Sequence, residues 1–217
     1  MSQAIAIFDF DGTLIAGDSL LPFLERVTGK RRARYALVRS VRAALMRAGR
    51  GKGGDVRTQV KEGLLARTLK GVPEEKARAV AAEMGSWVRW HNPIRDKLLH
   101  HADQGHHVVV ATGALALYMP SLLEGLPVNH LMATEMEVVD GLLTGRMCQG
   151  GNCVRDEKAR RVQDYLSGHG PFGNTYGYGN RPSDLPFLAL MHHPTVVPTV
   201  SRRTSGKKQA MEGQDAR

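Results

Sequence analysis

Cysteines and long apolar runs are scarce in this chain of 217 residues, and each scarcity closes off a class of protein. The two cysteines, Cys148 and Cys153, cannot build a disulfide framework, which points to a reducing compartment. No second ligand pair stands at zinc spacing beside Cys148, Cys153 and His169, so both cysteines read as free thiols. No run approaches the roughly eighteen apolar residues that cross a bilayer. The first ten residues carry an acid at Asp9 and no basic flank, unlike a secretory signal. Also missing are internal repeats, a Walker loop, a dinucleotide fingerprint and a Ser-His-Asp elbow.

What is present is an ordinary globular composition. Hydrophobic residues make up 42%, and the length suits one full domain plus a small insertion. The formal net charge of +9 is unevenly spread. Residues 26–70 hold 14 Lys and Arg against two acids, Asp55 and Glu62, and residues 202–217 hold five against two. The remainder has 11 basic residues against 17 acidic ones. An acidic body therefore carries a basic insert and a basic tail, which argues against a generally basic nucleic-acid binder.

Residues 4–8 (AIAIF) form a continuous apolar run that stops at Asp9, the pattern of a strand buried on both faces. Residues 107–111 (HVVVA) repeat it after a helical stretch over 93–104. A helix is expected over 115–124, then strands over 131–139 and 142–144 turning at Asp140-Gly141. A helix over 156–166, a strand over 175–178, a short helix over 183–191 and a strand over 195–197 follow. Strands alternating with helices predict an α/β fold, a Rossmann-like parallel sheet with helices on both faces. Residues 17–90 hold no strand pattern and far exceed a single crossover, so they are expected to form an inserted all-helical subdomain. Trp87 and Trp90 read as packing residues where this insert rejoins the core. The core is then 1–16 and 91–200, and 201–217 reads as a disordered basic tail.

The sharpest signal is Phe8-Asp9-Phe10-Asp11-Gly12-Thr13-Leu14. Two carboxylates two residues apart at a strand's end point the same way, into the space where open α/β sheets bind ligands. Such a pair suits nucleophilic attack by one carboxylate and proton transfer by the other. Gly12 permits a sharp turn that bares backbone N–H groups to an anion. More polar residues follow later strands: Thr112-Gly113, then Lys158 after Gly150-Gly151, then Gly179-Asn180-Arg181-Pro182-Ser183-Asp184.

These motifs, in this order, resemble the haloacid dehalogenase superfamily of phosphohydrolases over residues 4–200. Within it the chain is similar to the branch (subfamily IB) that contains phosphoserine phosphatase, whose helical cap follows the first motif. The resemblance implies a Mg²⁺-dependent phosphatase that hydrolyses a phosphate monoester through an aspartyl-phosphate. It implies Asp9 as nucleophile and Asp11 as general acid and base. Gly12, Thr112, Gly113 and Lys158 are then the phosphate binders, and Asp9, the carbonyl of Asp11, Asn180 and Asp184 the metal set. Hard oxygen ligands of this kind suit Mg²⁺. Many relatives have Asp at the position of Asn180, which predicts weaker metal affinity here.

Substrate recognition is less marked. Asp18 stands where phosphoserine phosphatases carry a Glu that recognises the substrate amine, yet it equally suits a helix N-cap before Leu20, Leu21 and Leu24. Aligning through Pro73 puts Leu65 at the place of the family's cap arginine, with Arg67 as the nearby candidate. Over residues 30–50 a helical wheel puts Leu37, Val41, Ala44, Leu45 and Ala48 on one face. Arg31, Arg32, Arg39, Arg42, Arg47 and Arg50 fall on the other. The favoured reading packs the apolar face within the cap and leaves the arginines in water to draw anionic substrates. The alternative lays this helix on an anionic membrane surface.

The expected protein is a cytoplasmic phosphatase of a small phosphorylated substrate, with nucleic acid not expected as a partner. The runner-up is a lipid-phosphate phosphatase peripheral to the inner membrane, similar to phosphatidylglycerophosphatase C. A non-catalytic anion- or nucleic-acid-binding module is a third reading.

Overall fold

The computed structural model describes residues 2–50, 55–180 and 182–198, without the side chain of Trp87. The tail over 201–217, Arg181 and part of the glycine-rich run after Gly49 lie outside the described residues.

The first strand, β1 (Ile5–Phe8), is buried at all four positions and lies at the centre of a five-stranded parallel sheet. Its neighbours are β2 (His107–Leu115) on one side and, on the other, a later strand at Thr175–Gly179. Beyond β2 comes β3 (His130–Thr134). A separate antiparallel hairpin, β4 (Met136–Val139) and β5 (Leu142–Met147), precedes β6 (Thr175–Gly179) and the edge strand β7 (His193–Val196). Alternate residues of β1 serve opposite layers. Ala6 and Phe8 pack with Leu98, Val108 and Val110, while Ile5 and Ile7 pack with Val162 and Phe187. An unbroken apolar strand is what burial on both faces requires. The expected Rossmann-like α/β architecture is borne out.

Element boundaries moved where pairing overrode local pattern. β2 continues past Ala111 to Leu115, pairing with β3 across an irregularity between Ala111 and Leu115. The helix expected from residue 115 therefore starts later, at Met119–Leu123. The strand expected over 131–139 divides, because its first half joins the parallel sheet and its second half pairs with β5. Asp140 (φ 49°) and Gly141 (φ 73°) form the predicted turn.

Between β1 and β2 run α1 (Leu20–Thr28), α2 (Lys30–Ala48), α3 (Val56–Thr68), α4 (Glu74–Ala82) and a 3₁₀ turn at Met84–Trp87. Entry and exit of this insert lie side by side: Ala16 N donates to Arg89 O and His91 N to Leu14 O, each at 2.8 Å. Trp90 packs edge-on against Phe10, ring centroids 6.0 Å apart, as its reading as a packing residue requires. No helix among the described residues is long and apolar enough to cross a membrane.

α2 corrects the helical-wheel expectation. Its buried face is the small-residue seam Ala33, Ala36, Ser40 and Ala44, not Leu37, Val41 and Leu45. α3 explains the choice: a Cβ on Gly63 would lie 3.1 Å from Ser40 Oγ, so the backbones approach too closely for large side chains between them. Leu37 is only half-buried, and Val41 and Leu45 are exposed.

Candidate active site

The carboxyl ends of the strands and the helices of the insert enclose a cavity of about 640 Å³. Asp9, the first residue beyond β1, is 5% exposed and lies on its wall. Lys158, in α7 (Arg155–His169, after α5 at Asn92–Asp103 and α6 at Met119–Leu123), reaches it from the neighbouring layer. Lys158 Nζ donates to Asp9 Oδ1 at 2.7 Å and to Asp184 Oδ1 at 2.6 Å. Thr13 Oγ1 donates to Asp9 Oδ2 at 2.9 Å. Burial alone would lower the lysine's pKa, but the two carboxylates hold it above its ordinary value. One buried cation and one hydroxyl thus fix the Asp9 carboxylate on the cavity wall.

Asp11 is held differently. Its Oδ1 accepts from Ser19 N at 2.9 Å and its Oδ2 from Ser19 Oγ at 3.1 Å, and Ser19 Oγ also meets Tyr118 OH at 2.9 Å. Burial first, then the charge of Asp18, raises the Asp11 carboxyl well above the usual carboxylate range. A carboxyl with a raised pKa is suited to act as a general acid.

Gly12 turns the chain between the two acids at φ 74°. A Cβ there would lie 2.8 Å from Asn180 Nδ2, so the glycine admits Asn180 to the site. Asn180 Nδ2 lies 2.9 Å from Asp11 O, 3.3 Å from Thr13 Oγ1 and 3.5 Å from Asp9 Oδ2. Among the described residues no group of three or more His, Cys, Asp and Glu side chains is arranged to hold a metal. The set gathered here is instead one carboxylate, one backbone carbonyl and one amide. Rotating the amide presents its oxygen to the same space, so these oxygens fit a hard cation such as Mg²⁺.

Thr112 is fully buried, its Oγ1 accepting from Ala114 N at 3.0 Å. It sits with Gly113 in the irregular part of β2, and both line the cavity. A Cβ on Gly113 would lie 2.7 Å from Val154 Cγ1, so only glycine lets the loop before α7 approach.

Residues 6–189 match the family model of haloacid dehalogenase-like hydrolases. The chain belongs to this family. A probable phosphatase, Rv3661, of Mycobacterium tuberculosis is 30% identical over 103 residues, 47% of this chain. The chain spans only 35% of that relative's length. The phosphoserine phosphatase of Streptococcus thermophilus is 24% identical over 187 residues, covering 86% of this chain and 80% of its own. Among solved structures, a protein of unknown function from Bordetella pertussis Tohama I superposes with a TM-score of 0.72 at 26% identity. That likeness covers 98% of this hydrolase and 96% of the other chain.

Two of the hydrolase's expected site residues stand elsewhere. Arg67 is not on the cavity; its Nη1 donates to Gly63 O at 2.8 Å and Ser40 Oγ at 3.4 Å, because its helical position turns it toward α2. Asp184 turns both carboxylate oxygens to neighbouring residues: Oδ1 accepts from Lys158 and Oδ2 from Asn180 N at 2.8 Å. Burial, then the charge of Asp9, raises Asp184 to about 6. Asp18 Oδ1 accepts from Leu20 N (3.0 Å) and Leu21 N (3.2 Å), as a helix cap would, and the residue also lines the cavity.

Lys61 of α3 was not singled out from the sequence. Its Nζ enters the site from the insert and donates to Gly113 O, to Asn152 Oδ1 at 2.6 Å and to Thr134 Oγ1 at 3.1 Å. Burial brings it down to about 8, against the pull of Asp11 and Asp18. Arg34 and Arg57 also line the cavity. Counting back from Pro73 does not find Lys61 or Arg57; only the basic excess of the insert pointed their way.

Proposed function

We propose that this hydrolase is a Mg²⁺-dependent phosphatase that cleaves a small phosphate monoester through a phosphoryl group carried on Asp9. The observation that carries this reading is the Asp9 carboxylate, fixed between Lys158 and Thr13 at the cavity wall, with the Asp11 carboxyl held by Ser19 two residues on. Asp9 and Asn180 side chains with the Asp11 carbonyl form the metal set, and Asp184 supports it through Lys158 and the Asn180 backbone. Mg²⁺ bound there supplies charge neutralisation for the phosphoryl oxygens.

An Asp9 oxygen attacks phosphorus, and the ester P–O bond breaks as Asp11 gives its proton to the leaving oxygen. Asp11 then takes a proton from a water molecule whose oxygen attacks the same phosphorus. The bond from phosphorus to Asp9 breaks, freeing inorganic phosphate and restoring both carboxyls. Lys158, the Thr112 hydroxyl and the backbone of Gly12 and Gly113 oppose the charge that builds on phosphorus in both halves, which is positioning and electrostatics.

Residues 17–90 act as a cap over the core of 1–16 and 91–200, and Lys61 and Arg57 give its inner side the charge to admit an anion. The name of the Streptococcus thermophilus relative makes phosphoserine a first candidate substrate. Asp18 on the cavity wall supports recognition of an amine, and the arginine for the carboxylate is Arg57 in place of Arg67. Two free thiols support a cytoplasmic setting.

The test is hydrolysis of an aryl phosphate with and without Mg²⁺, followed by a panel of phosphomonoesters that includes phosphoserine and lipid phosphates. Turnover should require the metal and favour one member of the panel. Turnover undiminished by chelator refutes the metal role, and no hydrolysis of any ester refutes the phosphatase.

A further inference from the structure

The small-residue seam that binds α2 to α3 leaves the opposite side of α2 without a partner. Val38 is 67% exposed, Leu45 60% and Tyr35 64%, and Val41 and Met46 are exposed beside them. Leu37, Val38, Val41, Leu45 and Met46 line one open apolar groove with the stem of Arg42. The helix carries seven Lys and Arg and no acid. Arg34 pairs with Glu25 at 2.6 Å, and among the described residues Arg31, Arg32, Arg42 and Arg47 pair with no acid.

Apolar and basic side chains are interleaved on this face rather than segregated. At 100° per residue Val38, Val41 and Leu45 share a sector of about 60°, with Arg34 inside it and Arg31 and Arg42 within about 40° of its edge. Such a sector lets the arginine stems lie along the apolar stripe while their heads stay in a polar, anionic layer. A second copy of the chain is a poor occupant, because a two-fold contact would set this acid-free helix against itself. Leu37 lines both the groove and the active-site cavity, so whatever covers the groove reaches the cavity rim.

We infer that the outer face of α2 is a docking surface for an anionic lipid bilayer. The apolar stripe enters the headgroup boundary, the arginines meet lipid phosphates, and the cavity rim at Leu37 lies beside the membrane. This surface is independent of the chemistry assigned to Asp9, and binding is read without substrate, so an inactive protein that binds leaves it intact.

The test is co-sedimentation of the whole chain with phosphatidylcholine vesicles containing about one-third phosphatidylglycerol, and with phosphatidylcholine alone. Binding should be about tenfold or more tighter to the anionic vesicles and weaken with salt. The double variant Val38→Ser, Leu45→Ser removes apolar surface without changing charge. It should lose about tenfold in anionic-vesicle binding while hydrolysing the aryl phosphate at the unaltered chain's rate. No preference for anionic vesicles, or equal binding by the variant, overturns the inference. So does a dimer in sedimentation velocity that the variant abolishes, since a second copy is then the occupant.

Discussion

Replacing Lys158 by Met removes the cation shared by Asp9 and Asp184 and puts a side chain of similar length in its place. Lys158 is 1% exposed, Asp9 5% and Asp184 1%, so Asp184 would be left almost wholly away from water and Asp9 solvated only from its cavity side. Breaking one buried ion pair by deleting a partner costs about 3–5 kcal/mol. Here two carboxylates lose the same cation, so the loss should lie toward the upper end of that range near neutral pH. That is a large share of a typical stability of roughly 5–15 kcal/mol. The cost must fall in acid. Asp184 is already raised to about 6 with Lys158 present, and losing the cation raises it further. A carboxyl whose folded pKa exceeds its unfolded value takes up protons in the folded state first, so stability rises as pH drops through that window. Urea titrations followed by circular dichroism, without added metal, should show the gap between the original chain and Lys158→Met shrinking from about pH 8 to about pH 5. Adding Asp184→Asn should restore about 1–2 kcal/mol of the loss. A loss below about 1 kcal/mol, or one that does not change with pH, refutes the argument that burial makes this pairing costly to break.

Other consequences are briefer. His101 is 6% exposed, meets Tyr178 OH at 2.9 Å and His106 Nδ1 at 2.8 Å, and is brought down to about 4 by burial first and then by His106. Its unfolded pKa is near 6.5, so its contribution is complete above that value and drains away as pH falls toward about 4; His101→Asn should flatten the acid slope in denaturation measurements. Asn180→Asp adds a charge to the proposed metal set and should tighten Mg²⁺ about tenfold in a calorimetric titration. The same added charge should make the metal-free protein less stable. Gly12→Ala meets both a positive φ and a Cβ 2.8 Å from Asn180 Nδ2. It should cost more than about 1 kcal/mol in denaturation and depress hydrolysis by displacing Asn180.

The parts legible in the sequence were those fixed by short-range pattern. An apolar run ending in Asp9 shows a doubly covered strand and the pole at which it presents polar groups. The long strandless stretch before residue 107 shows the run of helices that separates β1 from β2. Spacing alone could not show which side of α2 is buried, because Gly63 on another helix selects the small residues Ala36 and Ser40 over Leu and Val. Nor could it show Arg67 turned to α2, Ser19 and Tyr118 clasping Asp11, or Lys61 crossing from the insert to Gly113. Each depends on a contact between segments far apart in the chain, on which local pattern carries no information.

The most direct measurement of the central claim is acid quenching during turnover of a phosphate monoester, with mass mapping of the denatured chain. The account predicts an acid-stable, base-labile phosphoryl group on Asp9, absent from Asp9→Asn, whose hydrolysis falls by about 10³-fold or more. Phosphate found on another residue, or full turnover by Asp9→Asn, contradicts it.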